Sequence, residues 1–144
     1  MTLTYVKAVI NRAKARFEGL DFIVIDYFQL YRTPTGSGSG SREQDLAIFS
    51  QGLLTACRDA DTALIIVAQL NRDNEKTGRE PKLTDIRECG QLEQDAHRVI
   101  LGSRKEDNQR EVIWNYAKNR NGPIGKFETK FEPWCTRFIH ERTL

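Results

Sequence analysis

The chain of 144 residues is poor in the side chains that build metal and disulfide sites. It has three cysteines and two histidines. Cys57, Cys89 and Cys135 form no C-x-x-C pair, and His97 and His140 have no partner at metal-ligand spacing. Free thiols in a reducing compartment are therefore expected, and a zinc site is not.

Long apolar segments and a strong charge of either sign are also missing. The longest strongly apolar run, residues 63–68, is far too short to cross a bilayer. The N-terminal stretch MTLTYVKAVINRAK lacks the apolar core of a secretory signal, so we expect a cytoplasmic protein with no membrane partner. The net charge of +2 is too small to indicate nucleic-acid binding by itself. Any such binding must depend on where Arg and Lys are placed.

The apolar residues occur both at helical spacing and in continuous runs, as in an α/β fold. Helical spacing predicts a helix over residues 3–17, with Gly19 as its stop. FIVIDY (22–27) and ALIIVAQL (63–70) are continuous runs, typical of parallel strands buried on both faces. A second helix predicted over 45–59 connects them, so the strands should be parallel through a right-handed crossover.

The rest of the chain is less regular. Short helical turns are predicted over 83–97, and RVILGS predicts a third strand. EVIWNYAK, KFETKF and CTRFIH then predict an antiparallel C-terminal edge, and Trp114 and Trp134 are expected to pack in the core. Polar stretches predict mobile loops at 32–44 and 71–83. The expected architecture is one α/β domain over 1–144, with a mostly parallel sheet core flanked by helices.

Two polar residues stand where buried strands end. Asp26 ends one strand and Gln69 the next, so both should lie on the same rim of the sheet, where parallel sheets bind ligands. A carboxylate there can hold Mg²⁺ beside a phosphate, and an amide can hydrogen-bond a terminal phosphate or orient a water. Either residue can also simply finish a strand, so both interpretations stay open at this point.

Two further segments carry charges in suggestive positions. Lys118 and Arg120 precede an Asn-Gly-Pro turn, and they can form a basic hairpin tip or present cations to a phosphate on another molecule. The charged residues around Gly90 in LTDIRECGQLEQD can form a solvated turn with internal ion pairs. An arginine in that segment can equally contact a nucleic-acid phosphate.

Together these segments resemble the second half of the RecA-like motor domain of the DnaB family of replicative DNA helicases. FIVIDYFQL is similar to the family's Walker B strand, and IIVAQLNR to the motif with its sensor glutamine. LTDIRECGQLEQDAHRV is similar to the signature L-S-D-L-R-E-S-G-x-I-E-Q-D-A-D, and AKNRNGPIG to the arginine-finger hairpin. The motifs follow the family's order over residues 22–125. Phe28, Cys89 and His97 are departures from the usual Leu, Ser and Asp.

The resemblance implies roles in ATP-driven translocation on single-stranded DNA and its unwinding during replication. Asp26 would be the Walker B carboxylate near Mg²⁺. Gln69 would sense the γ-phosphate of ATP and couple it to DNA loops. Lys118 and Arg120 would reach the ATP site of a neighbouring subunit in a hexameric ring, where cations stabilise charge that develops in phosphoryl transfer.

The resemblance also implies a DNA-binding face. Arg87, Glu88 and Gly90 would lie on a loop that lines the channel for single-stranded DNA. Residues 32–44 would form the other channel loop. The implied partners are single-stranded DNA, ATP, and either copies of the chain in a ring or a complementary half of the motor.

One part of such a motor is missing, because no G-x-x-x-x-G-K-[S/T] occurs. The one Gly-Lys pair, Gly125 with Lys126, is followed by Phe127. The family's catalytic glutamate, upstream of the Walker B strand, is missing too. We therefore expect the chain alone to be inactive and marginally stable or oligomeric. A split-gene half, a truncated frame and a non-catalytic DNA-binding or ring-modulating relative all remain compatible. Another RecA-like ATPase, such as a RadA-type recombination protein, fits the signature and the hairpin less well.

Overall fold

The computed structural model describes residues 1–32, 41–71, 79–86, 90–105, 108 and 110–140. They divide into two compact units: a first unit of Met1–Leu70 and Ile86–Asp95, and a second unit of Asn71–Asp85 and Ala96–Leu144. More than half of each predicted loop, 32–44 and 71–83, lies outside the described residues. The mobility of these loops therefore stays a prediction, as does the assignment of the chain to one domain.

The described part of the first unit contains three α-helices and two strands. In chain order they are α1 (Leu3–Phe17), β1 (Phe22–Ile25), a 3₁₀ turn (Phe28–Leu30), α2 (Arg42–Asp59), β2 (Ala63–Ile66) and α3 (Gly90–Asp95). The first helix has its predicted bounds. It is capped by Thr2, whose hydroxyl accepts a hydrogen bond from the Tyr5 amide at 3.3 Å. It ends where Glu18 takes a left-handed φ of 58°.

The second helix begins at Arg42, three residues before the predicted start at 45. The Ser41 hydroxyl accepts a hydrogen bond from the Gln44 amide at 3.3 Å, and the Ser41 amide donates to Gln44 Oε1 at 3.0 Å. This capping box satisfies amides that the first turn of a helix leaves unpaired. The glycine- and serine-rich run before Ser41 favours a loop over 41–44, and the S-x-x-Q signature outweighs it.

The two strands of the first unit pair in parallel, as predicted. Phe22 lies opposite Ala63, and the register continues to Ile25 opposite Ile66. The core of this unit includes Ile25 and is dominated by fully buried side chains, among them Phe28, Phe49, Leu46 and Leu53. Phe49 stacks on Tyr31 with ring centroids 4.0 Å apart, which joins α2 to the end of the 3₁₀ turn.

The opposite face of this strand pair is uncovered. Phe22 and Val24 of β1 expose 59% and 49% of their surface, and Ile65 and Val67 expose 50% and 44%. We call these four side chains the open face. Residues two apart share one face of a strand, so the four form one apolar surface. The prediction of burial on both faces is therefore wrong within the described residues, because nothing described packs against this face.

The second unit contains a 3₁₀ turn (Leu83–Asp85) and the strands β3 (Arg98–Arg104), β4 (Glu111–Asn119), β5 (Gly125–Glu132) and β6 (Arg137–Ile139). The strands form an antiparallel sheet in the order β3-β4-β5-β6. The antiparallel C-terminal strands are thus confirmed, and they make a sheet of their own. On one face Lys105 bridges Glu111 at 2.7 Å and Glu128 at 2.9 Å.

The other face of the antiparallel sheet carries an aromatic cluster around Trp114. This ring lies directly across from Phe127 on one side and Gly102 on the other, and its indole N–H donates to Thr129 Oγ1 at 2.8 Å. Gly102 is required by close approach, because a Cβ there would lie 2.8 Å from the Trp114 ring. Trp134 is 71% exposed in the turn before β6, so the prediction that it packs in the core is wrong.

Candidate functional site

The carboxyl ends of β1 and β2 meet at one edge of the parallel pair. Asp26 directly follows β1, and Gln69 follows β2 by three residues; both side chains are exposed. The backbone remains paired past the strands, since the Val67 amide donates to the Ile25 carbonyl at 2.9 Å. The Phe28 amide then donates to the Val67 carbonyl at 2.8 Å. Parallel register thus brings Asp26 and Gln69 to the same rim.

Gln29, which no sequence pattern singles out, holds the backbone of Gln69 in place. Its side-chain Nε2 donates to the Gln69 carbonyl at 3.0 Å, and its Oε1 accepts from the Gln69 amide at 3.2 Å. Both backbone groups of Gln69 are therefore hydrogen-bonded, and its side chain is exposed. This contact depends on the 3₁₀ turn that follows β1, and residue spacing in the sequence does not predict such a turn.

Arg42, the first residue of α2, contacts the other side of the same 3₁₀ turn. Its Nη2 donates to the Gln29 carbonyl and its Nη1 to the Tyr31 carbonyl, both at 2.8 Å. A planar guanidinium can bond two carbonyls at once, which a lysine ammonium cannot do in the same geometry. Two polar side chains thus connect Gln69 with the start of α2.

The basic hairpin belongs to the second unit, where β4 ends and the chain turns toward β5. Lys118 lies on β4, Arg120 is exposed just beyond it, and the Arg120 amide donates to the His97 carbonyl at 3.0 Å. Asn119 organises the turn, because its Nδ2 donates to the Pro123 carbonyl at 3.0 Å. The predicted cation pair therefore lies at a turn that Asn119 stabilises, in a different unit from Asp26 and Gln69.

The charged segment before α3 is partly an internal ion-pair structure. Asp85 exposes 7% of its surface and accepts hydrogen bonds from both terminal nitrogens of Arg79, at 2.7 and 2.8 Å. The Lys82 amide adds a third bond at 2.7 Å. Bidentate, charge-assisted bonds of this kind are strong and directional. Asp85 is thus a structural residue, although it is buried rather than solvated and its partner Arg79 lies outside the segment.

Of the three residues that the resemblance assigns to DNA contact, only one lies in the described part of the chain. Arg87 and Glu88 lie outside the described residues. Gly90 is exposed as the first residue of α3, and no described atom lies within 4 Å of the position that a Cβ would take. Among the described residues nothing crowds Gly90, and the roles of all three stay predictions.

A buried polar contact fixes α3 against α2. Ser50 exposes 1% of its surface, and its hydroxyl donates to Asp95 Oδ2 at 2.8 Å. The other carboxylate oxygen of Asp95 accepts from Gln91 Nε2, also at 2.8 Å. The C-terminal end of α3 is therefore attached to α2.

Among the described residues, the Asp26 carboxylate is suited to hold Mg²⁺. Among them no three His, Cys, Asp or Glu side chains group closely enough to bind a metal ion. Mg²⁺ in nucleotide sites usually needs only one or two carboxylates, with phosphates and water as its other ligands. The exposed carboxylate of Asp26 at the rim fits that requirement. No helix in the described part of the chain is long and apolar enough to span a membrane.

Comparison with known proteins first defines the class. A solved structure of a DnaB-like replicative helicase, described with its interactions with primase, superposes with a TM-score of 0.86 and 27% identity. The match covers 99% of this chain and 36% of that one. The ATPase domain of G40P superposes with a TM-score of 0.85 and 28% identity, over 99% of this chain and 52% of that one. The predicted RecA-like α/β fold class is thereby confirmed, and the fold is that of helicase ATPase domains.

The family follows from sequence. Residues 1–140 match the DnaB-like helicase C terminal domain, and the chain belongs to that family. It is 37% identical to the replicative DNA helicase DnaB of Leifsonia xyli over 145 residues, and 34% identical to that of Haemophilus influenzae over 147 residues. Each match covers 96% of this chain and 31% of the relative. The chain thus spans about a third of the length of these relatives.

Proposed function

We propose that the chain is the C-terminal portion of a hexameric replicative helicase that hydrolyses ATP to translocate on single-stranded DNA and unwind the duplex. The observation that carries the proposal is the rim of the parallel pair, where Asp26 and Gln69 lie together in a chain of the DnaB-like family. Because polar side chains at the carboxyl ends of parallel strands face the ligand crevice, this rim is suited to a nucleotide.

At that rim each side chain has one task. Asp26 would hold Mg²⁺, which when bound neutralises charge on the phosphates of ATP. Gln69 would donate its side-chain amide to the terminal phosphate, so that it distinguishes ATP from ADP. Its backbone is already fixed by Gln29, so only the side-chain torsions remain to be ordered when that bond forms.

The basic hairpin would act on the nucleotide of a neighbouring subunit. Arg120 and Lys118 would approach the phosphates in trans and stabilise charge that develops on them. The exposure of Arg120 and the turn built by Asn119 support this role. A guanidinium suits the task because its fork matches two phosphate oxygens.

Single-stranded DNA would contact a different part of the chain. Arg87 would bond DNA phosphates, Glu88 would lie on the same loop, and Gly90 would allow a close backbone approach. Residues 32–44 would supply the second contact. These contacts would go mostly to the phosphate backbone, so binding should be weakened by salt and depend little on base sequence.

We further propose that the P-loop comes from a complementary half that covers the open face. Four large apolar side chains on one sheet face form the kind of patch that marks an interface. Val24→Asp should therefore prevent association with a P-loop-bearing half taken from a DnaB relative, measured by analytical ultracentrifugation. Ile48→Asp is the matched control, since Ile48 is 63% exposed on α2 rather than on the open face.

The activity test compares ATP hydrolysis with Mg²⁺ and single-stranded DNA in three samples: the chain alone, the chain with the P-loop half, and that mixture with Arg120→Ala. We expect hydrolysis only in the unmutated mixture. Arg110→Ala is the control for loss of an exposed arginine, because Arg110 lies in the turn before β4, and it should retain hydrolysis. Association and DNA binding without hydrolysis in any mixture would favour the non-catalytic, ring-modulating alternative and overturn the proposed enzyme activity.

A further inference from the structure

We infer that Gln29 and Arg42 are positioning residues that couple Gln69, at the nucleotide rim, to the first turn of α2. The inference rests on the proposed function in one respect, the role of Gln69 as a phosphate sensor. Its geometric basis lies entirely in the first unit and in described residues.

The first link joins Gln69 to the 3₁₀ turn. The Gln29 side-chain Nε2 donates to the Gln69 carbonyl at 3.0 Å, and its Oε1 accepts from the Gln69 backbone amide at 3.2 Å. Two bonds to two groups of the same residue fix orientation as well as distance. A displacement of Gln69 toward a phosphate must therefore move Gln29 with it or break both bonds.

The second link joins the 3₁₀ turn to α2. Arg42 donates to the carbonyls of Gln29 and Tyr31, both at 2.8 Å, and these carbonyls belong to the segment that Gln29 would move. The helix is a rigid element, since Phe49 on its next turns is fully buried. Movement of the 3₁₀ turn is thus passed to the first residue of the helix, Arg42, which lies within the proposed channel segment 32–44.

The two side chains add little to the packing of the unit. Arg42 is exposed and Gln29 is half-buried, whereas the neighbouring Phe28 is fully buried and packs on Phe49 with ring centroids 5.4 Å apart. Hydrogen bonds near the surface contribute modestly to stability. The contacts of Gln29 and Arg42 form a series from Gln69 to α2, so breaking either one should interrupt the same connection.

The first test uses the chain by itself and measures amide hydrogen exchange by NMR. Gln29→Ala should raise exchange of the Asp45 amide, which donates to the Ser41 carbonyl at 3.1 Å in the first turn of α2. Arg42→Lys should likewise raise exchange of the Gln69 amide. We expect about fivefold or more in each case, the lower bound of typical coupling between sites.

The double variant separates a serial connection from two independent contacts. If the two contacts act in series, the double variant should raise exchange of the Asp45 amide no more than the larger of the two single substitutions does. If they act independently, the two increases should add. Gln51→Ala and Arg58→Lys are matched controls on exposed positions of α2 and should change neither amide. Unchanged exchange at Asp45 in Gln29→Ala would overturn the inference.

The second test uses the assembly with a P-loop half. The measured quantity is the ratio of affinities for single-stranded DNA with and without a non-hydrolysable ATP analogue. Gln29→Ala and Arg42→Lys should each reduce this ratio about fivefold or more, and a ratio equal to that of the unmutated assembly would overturn the coupling role. A ratio of one in the unmutated assembly would instead refute the proposed sensor function, while the exchange experiment still decides whether the two sites are connected.

Discussion

Removing one buried hydroxyl should weaken the attachment of α3 to α2. In Ser50→Ala, the Asp95 carboxylate loses the bond from Ser50 Oγ at 2.8 Å and keeps the one from Gln91 at 2.8 Å. A hydrogen bond to a charged group contributes about 1.5–3 kcal/mol to stability. Because Asp95 is only partly buried and water can replace some of the lost bond, we expect a loss near ~1.5 kcal/mol in the free energy of unfolding.

Urea denaturation can measure this loss with two probes that report different units. All α-helices in the described part of the chain belong to the first unit, so far-ultraviolet circular dichroism mainly follows that unit. Both tryptophans, Trp114 and Trp134, belong to the second unit, so fluorescence follows it separately. Ser50→Ala should lower the midpoint of the dichroism transition without changing its slope, because the surface exposed on unfolding is unchanged.

A neighbouring hydroxyl provides the control. Thr55 is exposed on the same helix and bonds only the Gln51 carbonyl among the contacts described for its side chain, at 3.0 Å, so Thr55→Ala should change stability by less than about 0.5 kcal/mol. A shift for Ser50→Ala no larger than this would refute the reasoning. A double-mutant cycle with Asp95→Ala should then give the pairwise energy, and additive effects would mean that the Ser50 bond contributes nothing.

Three further changes test the packing and charges of each unit. Gly102→Ala places a Cβ 2.8 Å from the Trp114 ring, so it should destabilise the second unit by about 1–3 kcal/mol, measured by fluorescence-detected denaturation. Phe49→Ala empties a fully buried position and should cost the first unit about 3–5 kcal/mol, measured by circular dichroism. The hydrogen bond and charge of Lys105 lower the pKa of Glu111, so the stabilisation from this carboxylate is present above its unfolded pKa and lost as pH falls through the folded one. Lys105→Met should therefore reduce the acid sensitivity of the fluorescence transition, and an unchanged pH profile would contradict the assignment.

Elements set by local pattern could be predicted from the sequence. The α1 helix and the parallel pairing of β1 with β2 follow from apolar spacing and from the length of the crossover. The start of α2 was misplaced because a glycine- and serine-rich run and a capping signature make opposite predictions for 41–44, and the cap prevails. The position of Trp134 was wrong because apolar character alone does not distinguish a strand from the turn beside it.

The rim could be predicted in part, for a clear physical reason. Asp26 and Gln69 are brought together by strand direction alone, and strand direction follows from the order of elements. Gln29 and Arg42 depend on the path of a short 3₁₀ turn, where a shift of one residue would redirect both side chains. Side-chain to backbone contacts of this kind follow no periodic pattern in the sequence, so only the folded structure shows them.

The open face and the need for a phosphate cradle are independent reasons to expect the complementary half of the motor proposed above. Four large apolar side chains on one sheet face need to be covered if water is to be excluded from them, whatever the chemistry of the rim. ATP hydrolysis needs a phosphate cradle, whatever covers the sheet. These requirements separate experimentally, since Val24→Asp should block association and Arg120→Ala should block hydrolysis while association is retained. If Val24→Asp left association intact, the partner would have to bind elsewhere, and the open face would have to be covered by something other than the half that brings the P-loop.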